Sequence, residues 1–434
     1  MFTVGLYTLG CKVAQYETEA IGEEFERRGV TVLPFDSVCD AYVINTCTVT
    51  AESDRKSRQM IRRAITRNPS AAIAVVGCYS QRDPDSVLSI DGVDIVLGTD
   101  GKLAVVDEVI ARLESGTPRK FSSISDLSLS EFEPMCIEHA PRTRAYVKIE
   151  DGCECKCTYC AISGARGRVR SKPMDDVIRE VEGLYRAGTR EVVLTGIETG
   201  SWGVDLPGSP RLADLICELN RRHSCERIRL GSLAPELVGE DFIMRVKDAE
   251  ILAPHFHISI QSGSDRILAA MKRRYNSARA IENIERIREY IPSAQFTTDL
   301  MVGFPGETDE DFYMTAELVH RVGFLDSHVF AYSRREGTPA ADYPDQVPEI
   351  VKRKRSTELI GVCKAARDKV LDKIVHDGDV HSVILEDSRS GVYTAHSASF
   401  VEFVLECEEG RQGDMVRVVP VLHKDGVVLG RIVD

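Results

Sequence analysis

The run Asp151-Gly-Cys-Glu-Cys-Lys-Cys-Thr-Tyr-Cys-Ala-Ile-Ser-Gly-Ala-Arg-Gly-Arg-Val-Arg170 sets Cys153, Cys157 and Cys160 in a C-x3-C-x2-C spacing. Three thiolates on one short loop can hold three corners of a cubane iron–sulfur cluster, whereas a ferredoxin-type site takes four cysteines. Cys155 is the one spare thiol nearby, and its two-residue offset is expected to turn it away from the side the other three share. The fourth iron would then be open to bind and activate a small molecule. A zinc ion on Cys155, Cys157 and Cys160 is the competing reading; it needs one more ligand and leaves Cys153 idle.

The loop resembles that of the radical S-adenosylmethionine (SAM) enzymes, which share this spacing with an aromatic, here Tyr159, before the last cysteine. The resemblance implies a [4Fe–4S] cluster on Cys153, Cys157 and Cys160, with the amino and carboxylate groups of SAM on the open iron. It also implies that an electron from the cluster cleaves SAM to a 5′-deoxyadenosyl radical, so that the cofactor carries the difficult chemistry and the protein positions it.

The 434 residues suggest about three domains. With 43% hydrophobic and 28% charged residues, the composition is that of an ordinary globular chain. No apolar run approaches the roughly 18 residues of a membrane span, and the start lacks a charged signal-peptide region. A cytoplasmic protein is therefore expected, with neither a membrane nor DNA as partner. Thirteen cysteines, an odd number spread along the chain, suit metal ligands plus buried thiols better than a disulfide framework. The net charge of −13 argues against indiscriminate polyanion binding, so any nucleic-acid contact must be local.

Outward from the loop, the first region (1–115) alternates strand and helix. Apolar runs at 3–9, 41–44, 72–76 and 95–97 read as buried strands, and 17–28 reads as a helix stopped by Gly29. Such alternation predicts an α/β domain with a flavodoxin-like open parallel sheet. Cys11, Cys47 and Cys78 each follow a strand, where ligands of such sheets sit, so three thiols distant in sequence could converge. Three small buried residues are the plainer alternative. A helix at 52–68 carries Arg55, Lys56, Arg58, Arg62, Arg63 and Arg67, a solvated face or a phosphate contact.

Residues 116–141 read as a linker. Across 142–368, six strands (146–149, 191–194, 227–230, 257–260, 296–301, 326–331) alternate with helical patterns, predicting an incomplete (β/α)6 barrel whose functional groups lie at the strand C-terminal ends. Gly196, Ser232, Gln261 and Asp299 fall at those ends and are the candidate SAM cradle. Gly196, Gly200 and Gly203 lack the spacing of a dinucleotide fingerprint. In the tail (369–434), runs at 380–385, 392–394, 401–405, 415–421 and 427–433 predict a small five-stranded β-barrel.

The wider sequence resembles the methylthiotransferases. The matching segments are Gly-Cys-Lys-Val (10–13), Asn-Thr-Cys-Thr-Val-Thr (45–50), Val-Val-Gly-Cys-Tyr-Ser-Gln (75–81), Gln-Ser-Gly-Ser-Asp (261–265) and Thr-Asp-Leu-Met-Val-Gly-Phe-Pro-Gly-Glu-Thr (298–308). The resemblance implies a second [4Fe–4S] cluster on Cys11, Cys47 and Cys78, where one SAM methylates a sulfur, while a second SAM at the other cluster yields the radical that prepares the substrate carbon. Segments 10–17 and 335–341 resemble the branch acting on carbon 2 of threonylcarbamoyladenosine beside the tRNA anticodon. Branches acting on isopentenyladenosine or a ribosomal-protein aspartate, or a non-catalytic metal-bound RNA-binding module, are the alternatives. Sulfur and electron donors are not indicated. Ala14 stands where the family has Asn, Ala234 where it has Glu, and Ser163-Gly164 replaces a Pro-containing turn.

The tail resembles the RNA-binding TRAM domain, yet it holds seven Lys and Arg against twelve Asp and Glu. Residues 140–172 hold eight against three, so the basic path runs past the cysteine loop instead. RNA contact by the tail would have to rest on shape or stacking.

Overall fold

The computed structural model describes residues 1–140, 143–407 and 410–433; the junction expected at 141/142 and the last residue of the tail, Asp434, lie outside them. Six strands, β1 (Thr3–Thr8), β2 (Thr31–Leu33), β3 (Ala41–Thr46), β4 (Ala72–Gly77), β5 (Ile95–Leu97) and β6 (Phe121–Ser123), form one parallel sheet in the order β2-β1-β3-β4-β5-β6. Every residue of β3 and β4 is buried, as expected of central parallel strands covered on both faces. Alternate residues of β3 supply two cores: Ala41 and Val43 pack with Ile21, Phe25 and Val105, and Tyr42 and Ile44 pack with Ile61, Ala64 and Val87. The chain order reverses between β1 and β3, which makes their carboxyl ends the natural ligand crevice.

The helix after β1 spans Lys12–Arg27, beginning directly at Cys11 rather than at residue 17. Val13, Ala14, Tyr16 and Glu17 extend its buried face by one and a half turns. β2 and β6 escaped the sequence reading because each is a three-residue edge strand with little buried apolar surface. β6 lies within the span read as linker.

The next strands are β7 (Arg144–Lys148), β8 (Glu150–Asp151), β9 (Arg170–Ser171), β10 (Glu191–Thr195), β11 (Arg227–Leu230), β12 (Ser232–Leu233), β13 (His255–Gln261), β14 (Gln295–Val302) and β15 (Asp326–Ala331). β7, β10 and β11 form one parallel sheet, and β12 to β15 form another. Gly231 alone separates β11 from β12; a side chain there would press on Thr199 and the Leu194 carbonyl, so the chain bends where the sheet curves. The result is the expected six-position open barrel around a core that includes Trp202, Phe256 and Phe296. The short antiparallel pair β8–β9 clasps the neck of the cysteine loop.

A 29-residue helix, Glu349–Asp377, crosses the boundary expected at 368/369 and packs on β15. After it come β16 (His381–Arg389), β17 (Val392–Ser397), β18 (Glu402–Glu406), β19 (Met415–Lys424) and β20 (Val427–Val433), closed as β16-β17-β18-β20-β19. Ser390-Gly391 and Asp425-Gly426 carry the paired positive φ angles of tight hairpin turns. This small barrel docks against the N-terminal ends of the open barrel's strands. Arg227 donates to the Ser382 carbonyl, Arg229 to those of Ser397 and Ala398, and the Phe400 ring lies 4.8 Å from the Arg229 guanidinium. Among the described residues no helix is long and apolar enough to cross a membrane.

Gly152, at the loop neck, has φ +92°, and a β-carbon there would collide with the Arg168 carbonyl. Gly152→Ala should therefore cost more than about 2 kcal/mol by urea unfolding. Gly164→Ala, in a short helix with open space around it, should change stability by less than about 0.5 kcal/mol.

Candidate active site

Cys11, Cys47 and Cys78 stand at the carboxyl ends of β1, β3 and β4. Local sequence fixes each turn. Gly10 takes φ +130°, and a β-carbon on it would lie 3.3 Å from Cys47 Cβ. Gly77 takes φ +106°, with Asn45 Oδ1 2.5 Å from where its β-carbon would be. Asn45 Nδ2 donates to the Ala14 carbonyl and Thr46 Oγ1 to that of Val76, tying the three turns together.

The second cysteine loop is held by backbone bonds from Cys153 N–H to the Gly167 carbonyl (3.0 Å) and from Thr158 N–H to that of Met271 (3.1 Å). It presents Cys153, Cys157 and Cys160 to the first trio across a single cavity of ≈ 320 Å³, which all six cysteines line. Gly196, Ser232, Gln261 and Asp299 line it too, so every sequence-nominated residue meets in one place. Cys155 corrects the sequence reading: it also faces this cavity. Lys156 takes a left-handed φ of 50°, which folds the chain back between Cys155 and Cys157 and overrides the offset argument. Among the described residues no three His, Cys, Asp or Glu side chains converge as a single metal ion requires; the thiols ring a space.

Each trio has one arginine aimed at a sulfur. Arg166 Nε donates to Cys78 Sγ (3.2 Å) and Arg273 Nη1 to Cys157 Sγ (3.3 Å). Burial pushes both thiols up in pKa and the arginines pull them down; Cys47, with no such partner, is pushed up to about 11 by burial. Thiolate is the ligand form, so these cations favour the state a metal needs.

Arg166 belongs to a buried ion network. Glu17 pairs with Lys102, Lys148 and Arg166; Asp151 pairs with Lys148, Arg166 and Arg170; and Arg170 also reaches Asp100. Four cations thus face three carboxylates, and the surplus charge points at Cys78. Among the described residues Glu133, near Lys148, makes no ion pair, and burial raises its carboxyl pKa. A buried cation without a counter-charge is costly, and a Cys78 thiolate would supply one.

On the barrel side, Gln261 sits at φ +72° with its side-chain oxygen buried and without a hydrogen-bond donor. Such strain and such an orphan acceptor mark a ligand contact. Gly196 packs on Glu150, where a β-carbon would press on the carboxylate. Glu198, also lining the cavity, is pushed up to about 8 by burial and accepts from the Ala234 N–H (3.3 Å). Asp299 accepts from His257 (3.0 Å), His328 (3.2 Å) and Ser259 (3.3 Å); burial raises its pKa, but the two histidines outweigh this and hold it far below the usual range. Sequence reasoning missed Arg166, Arg273 and Glu17 as functional. Glu17 had a signal, a charge on the apolar stripe between Val13 and Ile21. Of the basic helix, now Ala51–Arg67, Arg63 and Arg67 bond to Asp36 and Arg55 to Glu52, so much of its charge serves the fold.

Comparison with known proteins places the chain's two α/β units in families. The model of the Radical SAM superfamily matches residues 147–319, and that of Uncharacterized protein family UPF0004 matches residues 3–98. The threonylcarbamoyladenosine tRNA methylthiotransferase MtaB of Bacillus subtilis is 36% identical over 96% of this chain and 93% of its own. Its namesake from Thermotoga maritima is 36% identical over 99% and 96%. A tRNA-2-methylthio-N(6)-dimethylallyladenosine synthase from Carboxydothermus hydrogenoformans is 32% identical over 88% and 87%. Among solved structures, the radical S-adenosylmethionine methyltransferase TsrM of Kitasatospora setae aligns at TM-score 0.57 with 16% identity, covering 78% of this chain and 77% of its own, a likeness of fold.

Glu17→Ala should cost about 3–5 kcal/mol in chemical unfolding, because Lys102, Lys148 and Arg166 stay buried without their shared acid. Burial raises the Glu17 carboxyl, but the three cations outweigh it and depress its folded pKa. The stabilisation is therefore full above the unfolded value of about 4.3 and is lost as pH falls. The wild-type minus variant difference should shrink on acidification.

Proposed function

The chain belongs to the radical SAM tRNA methylthiotransferases, and we propose that it adds a methylthio group to carbon 2 of threonylcarbamoyladenosine next to the tRNA anticodon. One observation carries this reading: two cysteine trios, from separate α/β units, line the same cavity. Near-full-length similarity at 36% to proteins named for this substrate supports the choice over dimethylallyladenosine.

The residues present suit two [4Fe–4S] clusters. Cys11, Cys47 and Cys78 would hold one, and Cys153, Cys157 and Cys160 the other, while Gly196, Ser232, Gln261 and Asp299 would cradle SAM. Bound there, the clusters and SAM supply one-electron chemistry and transferable sulfur that no side chain can provide. The chain's own part is electrostatic and positional. Arg166 and Arg273 donate to a thiol of each trio, which favours thiolate and would offset the charge of a bound cluster. Gln261 offers its unpaired oxygen, and the Gly196 backbone allows close approach. The Arg273 guanidinium lies 5.0 Å from the Tyr275 ring and is anchored on the Ser259 carbonyl, so its direction is fixed before any ligand arrives. The cavity is small beside a nucleotide in a duplex, so the base enters extruded from a single-stranded loop.

Anaerobically reconstituted protein should hold about eight irons per chain, and Cys11→Ser and Cys153→Ser about four each. With SAM, a reductant and tRNA, wild type should yield 2-methylthio-threonylcarbamoyladenosine by mass spectrometry of the nucleosides, and both variants should lose at least about 100-fold. Product appearing instead on dimethylallyladenosine tRNA would overturn the substrate assignment.

A further inference from the structure

A base drawn out of an RNA loop brings its own phosphates to the mouth of the cavity that receives it. Three turns meet at this mouth, and hydrogen bonds fix their places. The first is the cysteine loop, where Lys156 stands exposed at φ +50° between two cavity-lining thiols, Cys155 and Cys157. The second is the turn 271–275. Thr158 N–H donates to the Met271 carbonyl (3.1 Å) and Arg274 Nη2 to that of Glu154 (3.1 Å), so this turn is tied to the loop. Its Arg273 lines the cavity, while Lys272, at φ +56°, and Arg274 are exposed. The third is the strap 332–341, after β15. Ala340 N–H donates to the Thr158 carbonyl (2.9 Å), Ala51 N–H to Ser333 Oγ (3.1 Å) and Arg335 Nη2 to Thr48 Oγ1 (2.7 Å). Thr48 lies between Cys47 and Val49, which both line the cavity, so the exposed Arg334 stands at the same rim.

The rim cations are kept free. Elsewhere on the surface arginines pair with nearby acids, Arg55 with Glu52, Arg63 with Asp36, and Arg221 with Glu218. Among the described residues Lys156, Lys272, Arg274 and Arg334 make no ion pair. Only two exposed acids, Glu154 and Glu336, share these turns, and Asp54 beside the strap is already held by Arg335. A local excess of free positive charge in a chain of net charge −13 is the footprint of a polyanion contact. The C-terminal barrel offers no such excess. It docks at the far ends of the barrel strands and holds more acids than bases.

On the substrate reading given above, we infer that the rim formed by Lys156, Lys272, Arg274 and Arg334 grips the backbone phosphates that flank the extruded base of the tRNA anticodon loop. Lys156 and Lys272 occupy left-handed positions on adjoining turns, and Arg274 is anchored on a carbonyl. The charges are therefore held around one opening before RNA arrives, which lowers the ordering cost of binding. Phosphate contacts of this kind set register and affinity without reading sequence, and the cavity behind them selects the base.

Holoprotein is titrated with an anticodon stem-loop RNA carrying threonylcarbamoyladenosine over a range of salt concentrations. Lys272→Glu, Arg274→Glu and Arg334→Glu should each weaken binding about 5- to 20-fold at physiological salt, and each should lower the slope of log affinity against log salt by about one. Lys364→Glu, the same charge change on an exposed position of the helix Glu349–Asp377, should stay within about twofold of wild type. Among the described residues Lys272 makes no hydrogen bond, so its reversal separates a lost phosphate contact from a disturbed loop. Rim reversals that bind with the affinity and slope of Lys364→Glu overturn the inference. So does a loss seen only with Arg431→Glu in the C-terminal barrel, since the grip then lies there. Wild type that methylthiolates the threonylcarbamoyl hairpin while the rim reversals bind normally overturns the surface alone. Wild type that binds through the rim yet methylthiolates only a dimethylallyl hairpin overturns the substrate reading and leaves the surface standing.

Discussion

The molecule turns on the buried network in which Glu17 pairs with Lys102, Lys148 and Arg166. Glu17 and Lys102 come from the N-terminal sheet unit, Lys148 from the first barrel strand, and Arg166 and Asp151 from the cysteine loop. All five side chains are essentially inaccessible. Desolvating so many charges is favourable only when the partners meet in one geometry, so the network admits a single docking of the two α/β units. Arg166 then carries that geometry to the chemistry, since the same guanidinium bonds Glu17 and Cys78. Stability and the position of Cys78 are one constraint here.

The consequence is a cavity assembled from the carboxyl ends of two sheets. β1, β3 and β4 bring one trio, the neck β8–β9 brings the other, and the ends of β10 to β14 complete the lining. Ligands favour this end of parallel strands in both architectures, and here the two ligand ends face each other. The opposite, N-terminal end of the open barrel is closed by the C-terminal barrel, where Phe400 stacks on His255 (4.7 Å) and Glu191 gathers three arginines.

Much of this could be read from the chain. The C-x3-C-x2-C spacing, the placing of Cys11, Cys47 and Cys78 after strands, and the six βα repeats located all six thiols and both architectures. What escaped reading has physical causes. Cys155 was misdirected because a strand-like offset was assumed where Lys156 adopts a left-handed turn. Thr31–Leu33 and Phe121–Ser123 are edge strands whose stability comes from pairing, not from apolar pattern. The helix Glu349–Asp377 packs on different partners along its length, so no single apolar stripe announces it. Arg166 and Arg273 look like surface cations in sequence, and only the tertiary fold turns them toward sulfur.

The account stands on two iron–sulfur clusters sharing one cavity. The most direct measurement is EPR of reconstituted protein with both clusters reduced. Two paramagnets across so small a space must split or broaden each other's signals, and Cys11→Ser should restore the simple spectrum of a single cluster. A spectrum of the wild type that is merely the sum of the signals from Cys11→Ser and Cys153→Ser would contradict it.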